Sequence, residues 1–100
     1  MKLNLIREAR TLTVAMEGRL DVKTSREVEE ALEGKLDGLD ELVFDFAEVT
    51  YISSAGLRLL AACQDAMDEA GARMRVVHVG EFVMKVFDMT HFTDVIDMSQ

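Results

Sequence analysis

The chain has 100 residues, no proline and a single cysteine, and an excess of Asp and Glu over Lys and Arg gives it a formal net charge of −8. This length fits one domain, residues 1–100, and the 49% share of hydrophobic residues is typical of a globular domain rather than of a disordered tail. The negative charge argues against direct binding of nucleic acid or of anionic lipid headgroups, because both need a clustered Lys/Arg surface.

The cysteine count and the N-terminal residues bear on the cellular compartment. Cys63 alone cannot form an internal disulfide, and no N-terminal apolar run resembles a signal peptide or a membrane span. We therefore expect a cytoplasmic protein that does not insert into a membrane. We also expect no metal site, because His78 and His91 are isolated in the sequence.

The first part of the chain predicts a β-hairpin followed by a helix. Apolar and polar residues alternate in 3–8 and in 11–17, which is typical of two half-buried strands joined by a short turn. The run Thr-Ser-Arg-Glu at 24–27 fits a capping box. It predicts a first helix over about 24–33, which Gly34 would end.

The second part of the chain alternates strands and helices. The short, mostly apolar run 42–46 is expected of a central strand that is covered on both faces. Apolar residues then recur at helical spacing from Ser54 until Gly71. A further strand is predicted over 74–79 and a third helix over 81–89.

The order of these elements determines the fold class. Val95 and Ile96 predict a last short strand. Strands that are separated by helices of this length favour right-handed crossovers and a parallel or mixed sheet. The pattern therefore predicts a small α/β domain.

Two serines, Ser53 and Ser54, open the longest predicted helix directly after an apolar strand. The first N–H groups of a helix lack intrahelical partners and the helix dipole is positive there, so an anion is stabilised by roughly 0.3–1 kcal/mol. Ser54 can therefore be an N-cap, a phosphoacceptor, or both. Two nearby residues extend this candidate site, although each also has a simpler interpretation.

Gly56 and Arg58 are those two residues. Gly56 has no Cβ, so it permits another backbone or a phosphate to approach, or it is an incidental small residue in a tight junction. Arg58 follows Ser54 by four residues on the same predicted helix face. It is either within reach of a phosphate or an acidic partner, or simply solvated.

The sequence contains no pattern of a catalytic site. The nucleophile elbow of serine hydrolases needs Gly two residues before the serine, where Ser54 has Ile52. A phosphate-binding loop with lysine, a dinucleotide fingerprint and paired Cys/His ligands are also missing from the sequence. We therefore expect no intrinsic enzymatic activity and no cofactor.

Three segments together resemble a known family. The run Tyr-Ile-Ser-Ser-Ala-Gly-Leu-Arg at 51–58 looks like the phosphorylation segment of STAS domains of the anti-sigma factor antagonist type. The run Glu-Gly-Arg-Leu-Asp at 17–21 is similar to the family's Gly-Glu-Leu-Asp turn, and Val-Phe-Asp-Met-Thr at 86–90 resembles its Leu-Phe-Asp-Met-Ser stretch. Three segments in the family's order make the resemblance specific.

The resemblance implies a fold and a set of site residues. The fold is a single STAS-type α/β domain, with a mixed sheet of four or five strands and helices packed against it. Ser54 matches the family's phosphorylated serine, and Ser53, the second choice, stands where the family often has Asp. Asp21 is implied to lie beside the acceptor, where it either orients the Ser54 hydroxyl or favours the dipole of the helix that follows it.

The resemblance also implies a function, that of a phosphorylation-controlled binding module. The unphosphorylated domain would bind an anti-sigma factor that is also a serine kinase of the histidine-kinase-like ATPase type. The expected partner-binding residues are Asp21, Ser53, Ser54, Gly56 and Arg58. The kinase would supply ATP and Mg²⁺, and a serine phosphatase would restore Ser54. The alternative is a non-enzymatic STAS subunit that regulates a larger assembly, such as an ABC-type lipid transporter.

Overall fold

The computed structural model describes residues 2–96, which form a four-stranded mixed sheet and three α-helices. The sheet order is β1-β2-β3-β4. The strands are β1 (Lys2–Glu8), β2 (Thr11–Leu20), β3 (Glu41–Ile52) and β4 (Arg73–Val77). The helices are α1 (Val22–Leu32), α2 (Ser54–Ala70) and α3 (Glu81–Met89), followed by a 3₁₀ helix at Phe92–Asp94.

The pairing of the strands confirms the predicted α/β fold with a mixed sheet. β1 and β2 form the expected antiparallel hairpin, in which Leu5 lies opposite Val14. β2 pairs with β3, and β3 with β4, in parallel. Each parallel pair is connected by a helix, as a crossover requires.

One hydrophobic core joins the three helices to the same face of the sheet. It contains fully buried residues of the strands, such as Val14, Phe44 and Val76, and of the helices, such as Leu60 and Phe87. The strand residues that alternate with these are mostly half-exposed, as expected of a sheet with helices on one side. The predicted helices over 54–70 and 81–89 are confirmed.

The first helix begins two residues earlier than predicted. Its N-cap is Asp21, whose Oδ1 accepts a hydrogen bond from the Thr24 N–H at 3.1 Å. The Thr24 hydroxyl in turn accepts from the Asp21 N–H at 2.8 Å. The capping box predicted at 24–27 was therefore wrong, because Thr24 closes a box that Asp21 opens.

The central strand is much longer than the predicted 42–46. Its parallel ladder with β2 continues past a register shift near Ala15 and Glu17, and ends where Leu20 pairs with Ile52. Asp45 therefore lies inside the strand and not at its end. A short apolar run shows where a strand is most buried, whereas its length depends on a partner strand distant in sequence.

Two predictions for the last third of the chain were wrong. β4 ends at Val77, and His78, predicted to lie in the strand, has a left-handed backbone with φ of 58°. Val95 and Ile96 form no strand, because their N–H groups both donate to the Phe92 carbonyl and hold them in a turn after the 3₁₀ helix. The side chain of Ile96 is nevertheless buried in the core.

Gly56 is a point of very close packing in this fold. A Cβ built at this residue would lie 2.7 Å from Ile52 Cγ1 and 3.0 Å from the Leu20 carbonyl oxygen. The first turn of α2 is thus pressed onto the ends of β2 and β3, and only glycine leaves enough space.

Gly56→Ala is expected to lower the free energy of unfolding by about 1–3 kcal/mol, because the new methyl group meets backbone that cannot move aside easily. Urea denaturation followed by circular dichroism measures the change. Gly80→Ala is the comparison, since a Cβ there has no atom within 4 Å and the substitution loses only the N-cap preference of glycine at the start of α3. Equal stability of the two variants would contradict the packing role of Gly56.

Candidate functional site

The candidate site lies where two neighbouring parallel strands end and two helices begin. Leu20 and Ile52 are the last paired residues of β2 and β3. Asp21 then caps α1, and Ser53 caps α2. The sheet therefore places two of the predicted site residues at adjacent strand ends.

Ser53, and not Ser54, is the N-cap of the second helix. Its hydroxyl accepts from the Gly56 N–H at 3.4 Å and donates to the Leu20 carbonyl at 3.2 Å. Its own N–H donates to the same carbonyl at 3.0 Å. Ser53 is therefore held by three hydrogen bonds and is only partly exposed.

Ser54 is the first residue of α2 and is exposed. Within the described part of the chain, its hydroxyl makes no hydrogen bond. The interpretation of Ser54 as an N-cap is thus wrong, since Ser53 takes that role. The Ser54 hydroxyl is left at the positive end of the helix and is accessible from solvent.

Asp21 is engaged in capping its own helix. Hydrogen bonds from the Thr24 N–H, and then from the Thr24 hydroxyl, hold the pKa of the Asp21 carboxyl below its ordinary value of 3.8. No hydrogen bond joins Asp21 to Ser54 in residues 2–96. Asp21 was expected either to orient the Ser54 hydroxyl or to favour the dipole of the helix that follows it. The geometry shows the second role, because the Asp21 carboxylate caps α1.

The other two predicted residues lie on the first turns of α2. Gly56 is buried, and its missing side chain lets Leu20 and Ile52 pack closely against α2 inside the protein. Arg58 is exposed and makes no ion pair with any described residue. Because it lies one helical turn after Ser54, its guanidinium is available on the same side of the helix.

An aromatic patch, formed by Arg19, Tyr51 and Phe82, borders this site and was not predicted. The Arg19 guanidinium lies 4.0 Å from the centre of the Tyr51 ring. The Tyr51 ring also stacks on Phe82, with 6.1 Å between ring centres, and Phe82 is 54% exposed. The one feature of the sequence that could have indicated this patch is that Arg19 and Tyr51 both lie near the ends of strands. Their contact itself depends on the register in which β2 pairs with β3.

Asp45 and His78 form a separate pair. Partial burial opposes ionisation of Asp45, but hydrogen bonds with His78 and from the Ala47 N–H outweigh it and lower the pKa of the carboxyl. His78 Nδ1 lies 3.0 Å from Asp45 Oδ1. Asp45 precedes Ile52 by seven residues, or roughly 20 Å along a strand, so this pair is remote from Ser54.

Other chemistry was also considered for the described residues. Burial, and then the charge of Glu29, raise the pKa of the Cys63 thiol to about 11, so this cysteine is not a reactive thiolate. No cluster of three or more His, Cys, Asp or Glu in residues 2–96 could hold a metal ion. In the same residues, no helix is long and apolar enough to cross a membrane.

Nearly the whole chain matches one known domain family. The model of the STAS domain family matches residues 2–100 of this chain. The chain belongs to the STAS domain family. The segment 51–58 is therefore the junction between a strand and a helix of a STAS domain.

Curated relatives and solved structures agree with this assignment. The STAS domain is 28% identical over 88 residues to an anti-sigma-B factor antagonist of Staphylococcus epidermidis, a match that covers 87% of the chain and 82% of the relative. It is 26% identical, with the same coverage, to an anti-sigma-B factor antagonist of Staphylococcus aureus.

Two solved structures share the fold. An anti-sigma factor antagonist from Mycobacterium paratuberculosis superposes with a TM-score of 0.85 at 21% identity, over 97% of this chain and 83% of that one. The phosphorylated form of the Bacillus cell fate determinant SpoIIAA superposes with a TM-score of 0.76 at 13% identity, over 99% of this chain and 92% of that one. The single-domain STAS fold of the chain is thus shown.

The two serines are expected to differ in their contribution to stability. Ser53→Ala removes the N-cap and is expected to lower the free energy of unfolding by about 1 kcal/mol. Ser54→Ala removes an exposed, unbonded hydroxyl and is expected to change it by less than about 0.5 kcal/mol. Urea denaturation of both variants measures this. A larger loss for Ser54→Ala than for Ser53→Ala would show that the two roles are exchanged.

The cap formed by Asp21 predicts a dependence on pH. Because the pKa of Asp21 is lowered in the folded protein, the ionised carboxylate stabilises the fold above about pH 4 and this contribution is lost as the pH falls through the folded-state pKa. The stability difference between wild type and Asp21→Asn should therefore shrink from pH 7 to about pH 3. Asp65→Asn is the matched control, because it makes the same change at an exposed residue of α2. A difference independent of pH would contradict an ionised cap.

Proposed function

We propose that this STAS domain is an anti-sigma factor antagonist that binds its anti-sigma factor until Ser54 is phosphorylated. The observation that carries the proposal is the state of Ser54, which is exposed, unbonded and first in its helix. The names of the staphylococcal relatives support the partner class. The phosphorylated form of SpoIIAA, which shares the fold, supports the modification.

The geometry favours Ser54 over Ser53 as the phosphoacceptor. A hydroxyl that is to attack a phosphoryl group must be accessible and must give up its proton. The Ser53 hydroxyl already donates to the Leu20 carbonyl and caps the helix, so its modification would cost the fold these bonds. The Ser54 hydroxyl has no such bonds to lose.

Phosphorylation at this position acts through charge. It adds about −1.5 to −2 charges to a chain that already carries −8. In the free protein, the N-terminus of α2 and water both stabilise the phosphate. In a complex, the phosphate would have to be desolvated beside the partner, and a penalty of ~3 kcal/mol would weaken binding roughly 100-fold.

The surface around Ser54 is suited to a protein partner. Tyr51 and the exposed Phe82 supply aromatic contact area, and Arg19 supplies a charge fixed over the Tyr51 ring. Aromatic and arginine side chains are the residue types that most often dominate binding energy at interfaces. The proposed partner is an anti-sigma factor that is also the serine kinase, and a serine phosphatase would reverse the modification.

Incubation with the cognate anti-sigma factor and ATP–Mg²⁺ is expected to phosphorylate Ser54, which mass spectrometry of the peptides detects. Ser54→Ala should abolish the incorporation and keep the affinity of the complex, because a methyl group adds no charge. Ser54→Asp should weaken binding, though less than phosphate does, since a carboxylate carries one charge. Calorimetric titration measures both affinities.

Ser53→Ala is the control in this experiment and should still be phosphorylated. Modification confined to Ser53 or Thr50 would overturn the assignment of the acceptor. Equal affinity of the phosphorylated and unmodified proteins would favour the alternative of a STAS subunit that binds a larger assembly without a phosphate cycle.

A further inference from the structure

The outer edge of β1 has no neighbouring strand. β1 is the first strand in the sheet order and pairs with β2, so its other edge is open within residues 2–96. Natural proteins usually protect such an edge with proline, a bulge or a very short strand. β1 has seven residues without proline, and its ladder with β2 runs without a register shift. Its backbone can therefore pair with a further strand.

The charges of β1 are complementary to those of a second copy of the same strand. From residue 2 to residue 8 the strand reads Lys-Leu-Asn-Leu-Ile-Arg-Glu. When two copies pair antiparallel over their full length, Leu5 lies opposite Leu5, and Lys2 lies opposite Glu8 at both ends. Opposite charges that face each other across two strands stabilise the pair, whereas like charges destabilise it. The order of charges therefore favours this register.

The same charges disfavour the other ways of pairing two edges. A shift of one residue either puts Lys2 opposite Arg7 or leaves Lys2 without a partner, and it turns the second copy over. A parallel pairing in register would put Lys2 against Lys2. At the other edge of the sheet, β4 paired antiparallel with itself would bring Arg75 against Arg75 at the symmetry axis. Self-complementarity is thus a property of the β1 edge and not of the β4 edge.

Apolar surface on β1 supports the same pairing. Leu5 is half-buried and Ile6 is 46% exposed, so both retain surface that a second strand would cover. In the full-length register, Leu5 packs on its copy at the symmetry axis and Ile6 packs beside Asn4 of the second chain.

The net charge of −8 opposes self-association in general, but least at this edge. Residues 2–10 carry three basic side chains and one acidic side chain. At about 0.15 M salt, exposed charges more than about 8 Å apart are largely screened from each other. The charges in direct contact across the two strands therefore decide whether the edges attract.

We infer that two copies of this domain associate through their β1 strands, antiparallel and with Leu5 at a twofold axis, so that the two four-stranded sheets become one. The interface is isologous, because the same edge serves both copies and the pairing closes after two. One strand from each copy makes a small interface, of the class below roughly 1,200 Å². We therefore expect a weak dimer that depends on protein concentration.

The dimer leaves both candidate sites accessible. Each site lies beyond the C-terminal ends of β2 and β3. Antiparallel pairing reverses the direction of the second copy, so the two Ser54 residues lie at opposite ends of the joined sheet. The inference therefore goes beyond the proposed function and does not rest on it.

Sedimentation equilibrium of the full chain, from about 10 µM to about 1 mM in about 0.15 M salt, measures the association. The average mass of the wild type is expected to rise from that of one chain toward that of two. Glu8→Lys should raise the Kd of the dimer about tenfold, because two positive charges would then face each other at each end. Glu8 lies opposite Thr11 in the hairpin, so this change puts no like charge directly across one chain.

Glu69→Lys is the matched control. It makes the same change of charge at an exposed residue of α2, away from β1, and should leave the Kd within about twofold. Because Glu69→Lys lowers the net negative charge as much as Glu8→Lys does, the comparison separates the strand contact from general repulsion.

A mixture of two charge-reversed variants is the decisive arm. Lys2→Glu alone and Glu8→Lys alone should each self-associate about tenfold more weakly than the wild type, because each brings like charges together. An equimolar mixture of the two has opposite charges at both ends and should associate within about threefold of the wild type. Since this recovery requires both variants to be folded, it also excludes damage to the fold as the cause of the single losses.

Three results would overturn the inference. They are a wild type that stays monomeric at about 1 mM, equal effects of Glu8→Lys and Glu69→Lys, or a mixture of Lys2→Glu and Glu8→Lys that associates no better than either variant alone.

Discussion

The site depends above all on the carbonyl group of Leu20, the last residue of β2. It accepts hydrogen bonds from both the N–H and the hydroxyl of Ser53, and its oxygen lies where a Cβ of residue 56 would be crowded. This single contact ties the end of one parallel strand to the beginning of the helix that follows its neighbour. Because it occupies Ser53 and excludes a side chain at Gly56, it leaves Ser54 as the serine that faces solvent.

Under the proposed function, the two serines perform two different tasks that one residue could not perform well. A capping hydroxyl must stay bonded to the backbone, whereas a phosphoacceptor must be free to react. An Asp in place of Ser53 would cap the helix with a negative charge. A neutral cap repels a phosphate on Ser54 less, so this chain should tolerate the modification at lower cost to its fold.

Local patterns were sufficient to predict most elements from the sequence, and long-range register was not. The hairpin, α2 and α3 follow from periodicity and from Gly71, which ends α2 with φ of 70°. The start of α1 was missed because two capping patterns overlap at Thr24, and the length of β3 depends on its ladder with β2. The segment 51–58 indicated the site, but its aromatic patch requires α3 to bring Phe82 onto Tyr51.

Under the proposed function, the positions of three arginines favour one orientation of the domain toward an acidic partner surface. The formal net charge of the domain is −8. Arg19 lies over the Tyr51 ring, and Arg26 and Arg58 line the cavity between α1 and α2. These arginines would attract an acidic partner surface locally, against the overall negative charge of the domain. Under the proposed function, a phosphate on Ser54 would add negative charge near these arginines and so reduce that attraction.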